Sequence, residues 1–172
     1  LNMLGMHGAV YANIAINNAD LVIALGTRFD DRVTGKLSEF CKDAKIIHVD
    51  IDASEINKNK IVDVPIQGDV KTVLETWNQV ISKLEIKEWT QQIKAWKEEF
   101  KHDYTLSDHA ISPQDCITQL SSLAPKDTIV SVGVGQHQMW TAQFYGFNKP
   151  RSWLCSSGSV SYTHLTLPTS PK

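Results

Sequence analysis

Asp20-Leu-Val-Ile-Ala-Leu-Gly26 is a continuous apolar run of strand length stopped by glycine, the pattern of a parallel strand buried on both faces. Lys45-Ile-Ile-His-Val-Asp-Ile-Asp52 repeats it and ends in acids. Upstream, Val10, Ile14 and Ala15 alternate with Asn13, Asn17 and Asn18 and predict a short helix over 9–18. It is entered through Gly5 and Gly8, with N-terminal amides open to a ligand. Downstream, Asp52 or Ser54 is placed to cap a helical turn reaching Lys58, and 61–66 reads as a third strand that Pro65 confines to an edge or a strand end. Asp69 caps an amphipathic helix whose Val70, Val73, Leu74, Trp77, Val80, Ile81 and Leu84 predict packing on the sheet.

A second, more polar helix is expected over 89–101, with Trp89, Ile93, Trp96 and Phe100 on one side. Residues 102–110 lack periodicity and read as a linker. Ser112-Pro113 then supplies a cap and a first-turn proline for a helix carrying Cys116, Ile117, Leu120 and Leu123. Residues 128–132 read as a buried strand ending at Gly133. This order of elements predicts an α/β class with parallel sheets, in two separate pieces. Ligands of such sheets sit at the carboxyl ends of the strands.

Composition narrows the function classes. A length of 172 residues allows one domain or parts of two. With 17 Lys plus Arg against 19 Asp plus Glu, there is no basic footprint for nucleic acid or an anionic membrane. The longest apolar stretch, Leu21 to Leu25, is far short of the roughly 20 residues that span a bilayer. Cys41, Cys116 and Cys155 are widely spaced with no CxxC pair, so they suggest neither a disulfide framework nor a zinc site, and a reducing compartment fits. The chain opens directly on a helical pattern without an initiating Met, and 159–172 is rich in Ser, Thr and Pro. An interior piece with an unstructured or foreign tail is expected.

Three constellations could carry chemistry. The Gly5-Met-His-Gly8 turn, Gly26-Thr-Arg-Phe-Asp30 and Asp50-Ile-Asp52 combine a glycine-lined helix N-terminus, an arginine and an acid able to accept ribose hydroxyls. That is the logic of a dinucleotide site, although the spacing is not GxGxxG and ordinary α/β loops use the same residue types. Gly133-Val-Gly135-Gln-His-Gln-Met-Trp140 turns a strand end into a helix, and its amides, with Gln136 and His137 as neutral donors, suit a diphosphate as well as a plain turn. Asp30-Asp31-Arg32 reads as solvated or ion-paired loop residues with no acid/base role. His48 reads as a packed, hydrogen-bonded core histidine, since no second ligand sits at metal spacing, and Trp89 and Trp96 read as core or interface.

Leu4-Gly-Met-His-Gly-Ala-Val-Tyr-Ala-Asn13, Arg28-Phe-Asp-Asp-Arg-Val-Thr-Gly-Lys36 and Val134-Gly-Gln-His-Gln-Met-Trp-Thr-Ala-Gln143 resemble, in order and spacing, the large catalytic subunit of the acetolactate (acetohydroxyacid) synthase family. The resemblance covers about residues 1–158, with His48-Val-Asp-Ile-Asp52, Gln67-Gly-Asp69 and Ser156-Ser-Gly158 included. It implies parts of two doubly wound domains: 1–84 from the later part of a central FAD-binding domain, 85–110 a linker helix and loop, 111–158 the start of a C-terminal thiamine diphosphate domain, and 159–172 a divergent tail. It implies an enzyme that decarboxylates pyruvate on thiamine diphosphate and condenses the hydroxyethyl unit with pyruvate or 2-oxobutyrate, in branched-chain amino acid biosynthesis.

Carried over residue by residue, the resemblance places Met6, His7, Gly8, Arg28, Asp50, Ile51, Gly68 and Asp69 near FAD. It places Val134, Gly135, Gln136 and His137 on thiamine diphosphate, and Arg32 at the substrate channel. Mg2+, a homodimer or homotetramer and a small regulatory subunit belong to the same picture, in the bacterial cytoplasm or a eukaryotic plastid or mitochondrion. The family's activating glutamate and its Gly-Asp-Gly metal motif have no counterpart here, so no catalytic or metal-binding residue is assigned and the isolated chain is expected to be inactive. Oxalyl-CoA decarboxylase or glyoxylate carboligase types, and a non-catalytic nucleotide-binding module, are the competing readings.

Overall fold

The computed structural model describes residues 2–101, 104 and 110–155. The chain divides into two units, Leu1–Lys101 and His102–Lys172. Most of the expected linker over 102–110, and all of the tail over 159–172, lie outside the described residues.

The first unit runs α1 (Val10–Asn17), β1 (Leu21–Leu25), α2 (Asp31–Thr34), β2 (Lys45–Asp50), β3 (Val64–Gln67), α3 (Val70–Val80) and α4 (Lys87–Glu99). The three strands form a parallel sheet in the order β1-β2-β3. Leu25 lies opposite Val49 and Asp50 opposite Gln67, so the strands end together and their following loops share one edge. Pro65 sits on an outer strand, as its missing N–H requires.

The third strand begins later than its apolar pattern suggests, because Asp63 takes over the pairing. Its amide donates to the Ile46 carbonyl at 3.0 Å, and its carboxylate accepts from the Ile46 amide at 2.9 Å and from Lys45 Nζ at 2.7 Å. Hydrogen bonding from Lys45, then the Ile46 amide, holds the Asp63 carboxyl below the usual carboxylate range. Asp52 rather than Ser54 caps the turn that follows β2, its Oδ1 accepting from the Ser54 amide at 2.8 Å; the segment stays a turn and does not become a helix.

The core joins Val22 and Ala24 of β1 and Ile46 of β2 to Phe29, Phe40, Cys41 and Val62. Burial of β1 on both faces does not hold. Leu21 and Ile23 remain 48% and 46% exposed, and only alternate residues turn inward. The uncovered face borders an apolar hollow of about 330 Å³ lined in part by Leu4, Ala15, Ile16, Trp89 and Ile93. One face of the strand is core and the other is only screened.

α3 starts at Asp69, whose carboxylate accepts from the Thr72 amide at 3.1 Å. Its apolar stripe is half-buried at Val70, Val73, Leu74 and Trp77 and exposed at Val80, so the expected packing on the sheet is partial. α4 begins two residues before Trp89. Its Trp96, and Phe100 just after it, pack on Ala9, Tyr11 and Ala12, and Trp89 meets Trp96 edge-on at 5.7 Å.

The second unit runs α5 (Pro113–Leu123), β4 (Val130–Val132), α6 (Gln136–Phe144) and β5 (Trp153–Cys155). Ser112 caps α5 by accepting from the Asp115 amide, with Pro113 in the first turn as expected. β4 is shorter and less buried than expected, with Ile129 exposed before it. Its parallel partner β5 carries too short an apolar pattern to be read from sequence, and its Trp153 ends an aromatic row through Phe147 to Tyr145 with ring separations of 5.0 and 4.9 Å.

Candidate functional site

In the first unit the common strand edge gathers most of the residues singled out from sequence. Arg28 follows β1, Asp50 ends β2 with Ile51 after it, and Gly68 and Asp69 follow β3. The Gly68 amide donates to the Asp50 carbonyl at 2.9 Å, and the Gly26 amide to the Val49 carbonyl at 2.8 Å, extending the ladder into the loops.

The Gly5-to-Gly8 turn is fastened to the loop after β1. The Met6 amide donates to the Arg32 carbonyl at 2.8 Å. Gly5 has φ +98°, and a Cβ there would lie 2.4 Å from that same carbonyl oxygen; at Gly8 a Cβ would lie 2.2 Å from the Met3 carbonyl oxygen. Only glycine permits both close approaches. Asn13 Oδ1 accepts from the Gly5 amide while Asn13 Nδ2 donates to the Gly5 carbonyl, so α1 grips the turn ahead of it.

The start of α1 is less open than its glycines suggest. The Gly8, Ala9 and Ala12 amides already donate to the carbonyls of Gly5, Met3 and Ala9. The helix nevertheless carries no capping side chain and no acid in its first turn.

Charge at this edge is arranged locally. Arg28 Nε meets Asp30 Oδ2 at 3.3 Å, and Asp30 Oδ1 accepts from the Arg32 amide as the cap of α2. The expectation of ion-paired loop acids therefore describes Asp30. Asp69 is committed to capping α3. Asp50 is buried, its Oδ1 accepting from the Asp52 amide at 2.9 Å, with exposed Ile51 beside it and exposed Met6 in the turn held to Arg32. Hydrogen bonds from the Ser54 hydroxyl, then its amide, hold the Asp52 carboxyl below its usual range.

His48 is a core residue but not a hydrogen-bonded one. It is fully buried, with Phe29 edge-on at a ring separation of 5.1 Å, and neither ring nitrogen has a hydrogen-bond partner among the described residues. Its Nε2 stands 3.7 Å from Asp50 Oδ2.

In the second unit, Val134 to His137 run from the end of β4 into α6. Gly135 has φ +151°, and a Cβ there would lie 3.0 Å from the His137 imidazole. α6 has neither a capping side chain nor an acid in its first turn, unlike α5, which has Ser112 and Asp115. Such an end carries the positive end of the helix dipole, with the Gln138 amide already turned back onto the Gly135 carbonyl at 3.1 Å. Gln136 and His137 are exposed on it. Gln138 Nε2 donates to Cys155 Sγ at 2.6 Å and ties the helix to β5.

Three supporting contacts escaped the sequence reading: Asn13 on Gly5, Gln138 on Cys155, and Asn59 Nδ2 donating to the Arg28 carbonyl at 2.9 Å. Asn13 alone left a trace, as a polar residue on the turn-facing side of a short helix. Among the described residues no group of three or more His, Cys, Asp or Glu could hold a metal ion, and no helix is long and apolar enough to cross a membrane.

Residues 1–77 match the family described as thiamine pyrophosphate enzyme, central domain, and residues 133–167 the C-terminal TPP binding domain of the same enzymes. Over 92% of its length the chain is similar to chloroplastic acetolactate synthases: 49% identical to acetolactate synthase 3 of Brassica napus and to acetolactate synthase of Arabidopsis thaliana, and 48% to acetolactate synthase 1 of Zea mays. It spans about a quarter of the length of these relatives, 25%, 24% and 26% respectively.

Proposed function

We propose that this chain, an acetolactate synthase homologue with sequence of the thiamine pyrophosphate enzyme central and C-terminal domains, works as part of an enzyme that joins two 2-oxo acids with loss of carbon dioxide. Pyruvate is the donor and pyruvate or 2-oxobutyrate the acceptor, in the biosynthesis of valine, leucine and isoleucine. The observation that carries this reading is the Gly133-to-His137 turn, where Gly135 at φ +151° opens an uncapped, acid-free helix at the carboxyl end of a parallel strand.

The residues fit a diphosphate. The N-terminal amides of α6 and the helix dipole complement its charge, and Gln136 and His137 supply further donors. Glycine at 135 keeps a side chain out of the space beside the His137 ring. Thiamine diphosphate, when bound, supplies the electron sink that lets a 2-oxo acid lose carbon dioxide, with magnesium as the counter-ion of its diphosphate. The chain's part is to fix the anion by backbone donors and to hold α6 in place through Gln138 and Cys155.

The first unit fits the adenine half of FAD. Asp50 at the strand edge suits ribose hydroxyls, exposed Met6 and Ile51 offer apolar surface, and Arg28 with the turn through His7 and Gly8 faces the anionic part. Gly68 and Asp69 would act through their backbone, since the Asp69 carboxylate caps α3. Arg32, exposed and linked by its carbonyl to Met6, would stand at the substrate channel.

In domain terms we assign 1–84 to the central FAD-binding domain, 85–110 to a connecting helix and loop, 111–158 to the start of the thiamine diphosphate domain and 159–172 to a divergent tail. Assembly into homodimers or homotetramers, a regulatory subunit, and a plastid, mitochondrial or bacterial cytoplasmic setting complete the proposal.

Calorimetric titration of the chain with thiamine diphosphate and magnesium tests the reading. The expected result is binding that Gly135→Ala weakens at least about tenfold, or ~1.4 kcal/mol. Absence of any heat from the unsubstituted chain would refute the diphosphate site. Pyruvate supplied with thiamine diphosphate, magnesium and FAD should yield no acetolactate from the isolated chain.

A further inference from the structure

On β2, residues two apart share a face, so His48 and Asp50 project to the same side of the sheet. His48 is 0% exposed, and cross-strand Ala24 and Pro65 flank it with Phe29 closing its edge. Among the described residues neither ring nitrogen has a hydrogen-bond partner, while Asp50, 8% exposed, has one oxygen on the Asp52 amide and the other turned toward His48 Nε2 at 3.7 Å. A buried donor facing a carboxylate oxygen slightly beyond hydrogen-bond range closes on it with a small rotation of the acid, to roughly 2.7–3.2 Å.

We infer that His48 is a positioning residue for nucleotide binding: its Nε2–H anchors Asp50 Oδ2 from beneath, so that the remaining lone pairs of the carboxylate face the strand edge and accept the two hydroxyls of a ribose. This rests on the proposal that the first unit holds an adenine nucleotide, and it adds a specific task to a side chain that never touches the ligand. A carboxylate oxygen has lone pairs for more than one donor. Each oxygen of Asp50 can therefore keep its inner partner, the Asp52 amide or His48, and still accept a hydroxyl. The arrangement explains why a polar ring sits between Ile47 and Val49 in the middle of β2.

The probes are ADP and 2′-deoxy-ADP, titrated into the full 172-residue chain. The unsubstituted chain is expected to prefer ADP by about tenfold. His48→Gln, which keeps an N–H near the Nε2 position, retains most of that preference. His48→Met removes the donor at similar volume and brings the preference below about twofold, with little change in 2′-deoxy-ADP affinity. A purely structural role would lower both affinities together and leave their ratio intact, which would overturn the inference alone. If the unsubstituted chain binds neither probe, or binds both equally, the ribose-binding reading fails and the inference falls with it.

A measurement on the unsubstituted chain covers the case in which His48→Met does not fold. Side-chain ¹⁵N spectra should show the Nε2–H tautomer of His48. The Nδ1–H tautomer would overturn the inference.

Discussion

Asn13 and Gly5 bind each other twice, the side-chain carbonyl accepting from the Gly5 amide and the side-chain amide donating to the Gly5 carbonyl, both at 2.9 Å. One asparagine of α1 thereby satisfies both polar groups of a residue that no regular element pairs. Asn13→Ala should cost about 2 kcal/mol, from two part-buried hydrogen bonds worth roughly 1 kcal/mol each. Urea denaturation of the two proteins checks this, and an unchanged midpoint would show that the turn is held by other contacts.

Gly5 and Gly26 both have positive φ, +98° and +60°, but only Gly5 lacks room for a side chain. Gly26→Ala should cost about 1 kcal/mol for the left-handed backbone alone. Gly5→Ala must in addition push the Arg32 carbonyl away, and should cost more than about 3 kcal/mol or prevent folding. Equal losses in thermal melts would place the origin of both costs in φ.

Burial pushes the Cys41 thiol from 9.0 up to about 11, against a smaller opposing effect of Lys60. The folded state therefore favours the neutral thiol. The associated stability is complete below pH 9.0 and is lost as pH rises toward about 11. Cys41→Ala should flatten the decline between those pH values. A thiol reagent at pH 8 should modify exposed Cys116 in the native chain and reach Cys41 only in denaturant.

Asp63 gives the opposite pH sign. Its carboxyl is held low by Lys45 and the Ile46 amide, so the stability it adds is present above the ordinary value of 3.8 and disappears as pH falls below it. Asp63→Asn should weaken the β2–β3 edge at neutral pH and reduce the acid sensitivity of unfolding. An unaltered acid limb in denaturation curves would show that other carboxylates govern it.

The sequence was most readable where a local rule had no competitor. Asp69 and Ser112 cap the helices expected of them, Pro113 occupies a first turn, and both apolar runs became parallel strands. Burial was harder to read, because it depends on neighbours that composition does not name. Leu21, Ile23 and Leu25 look like a strand enclosed on both sides, yet one face of β1 meets only a partial cover from α1 and α4. At the site, residue types were legible and their local commitments were not. Asp69 was read both as a cap and as a neighbour of the ligand, and its carboxylate is taken by the cap, while His48 looked hydrogen-bonded but its ring nitrogens have no hydrogen-bond partner among the described residues. Asn59 and Cys155 act across 31 and 17 residues of chain, distances at which periodicity carries no information.

Among the described residues β1 ends its sheet, hydrogen-bonded to β2 on one side and apolar on its half-open face. For a polypeptide in water this sets a colloidal limit separate from folding stability. The outer edge offers N–H and C=O groups at the spacing another extended segment needs, and Leu21, Ile23 and Leu25 reward such an arrival. Pairing at this edge joins two molecules, so its extent rises with the concentration of the chain, whereas unfolding does not depend on it.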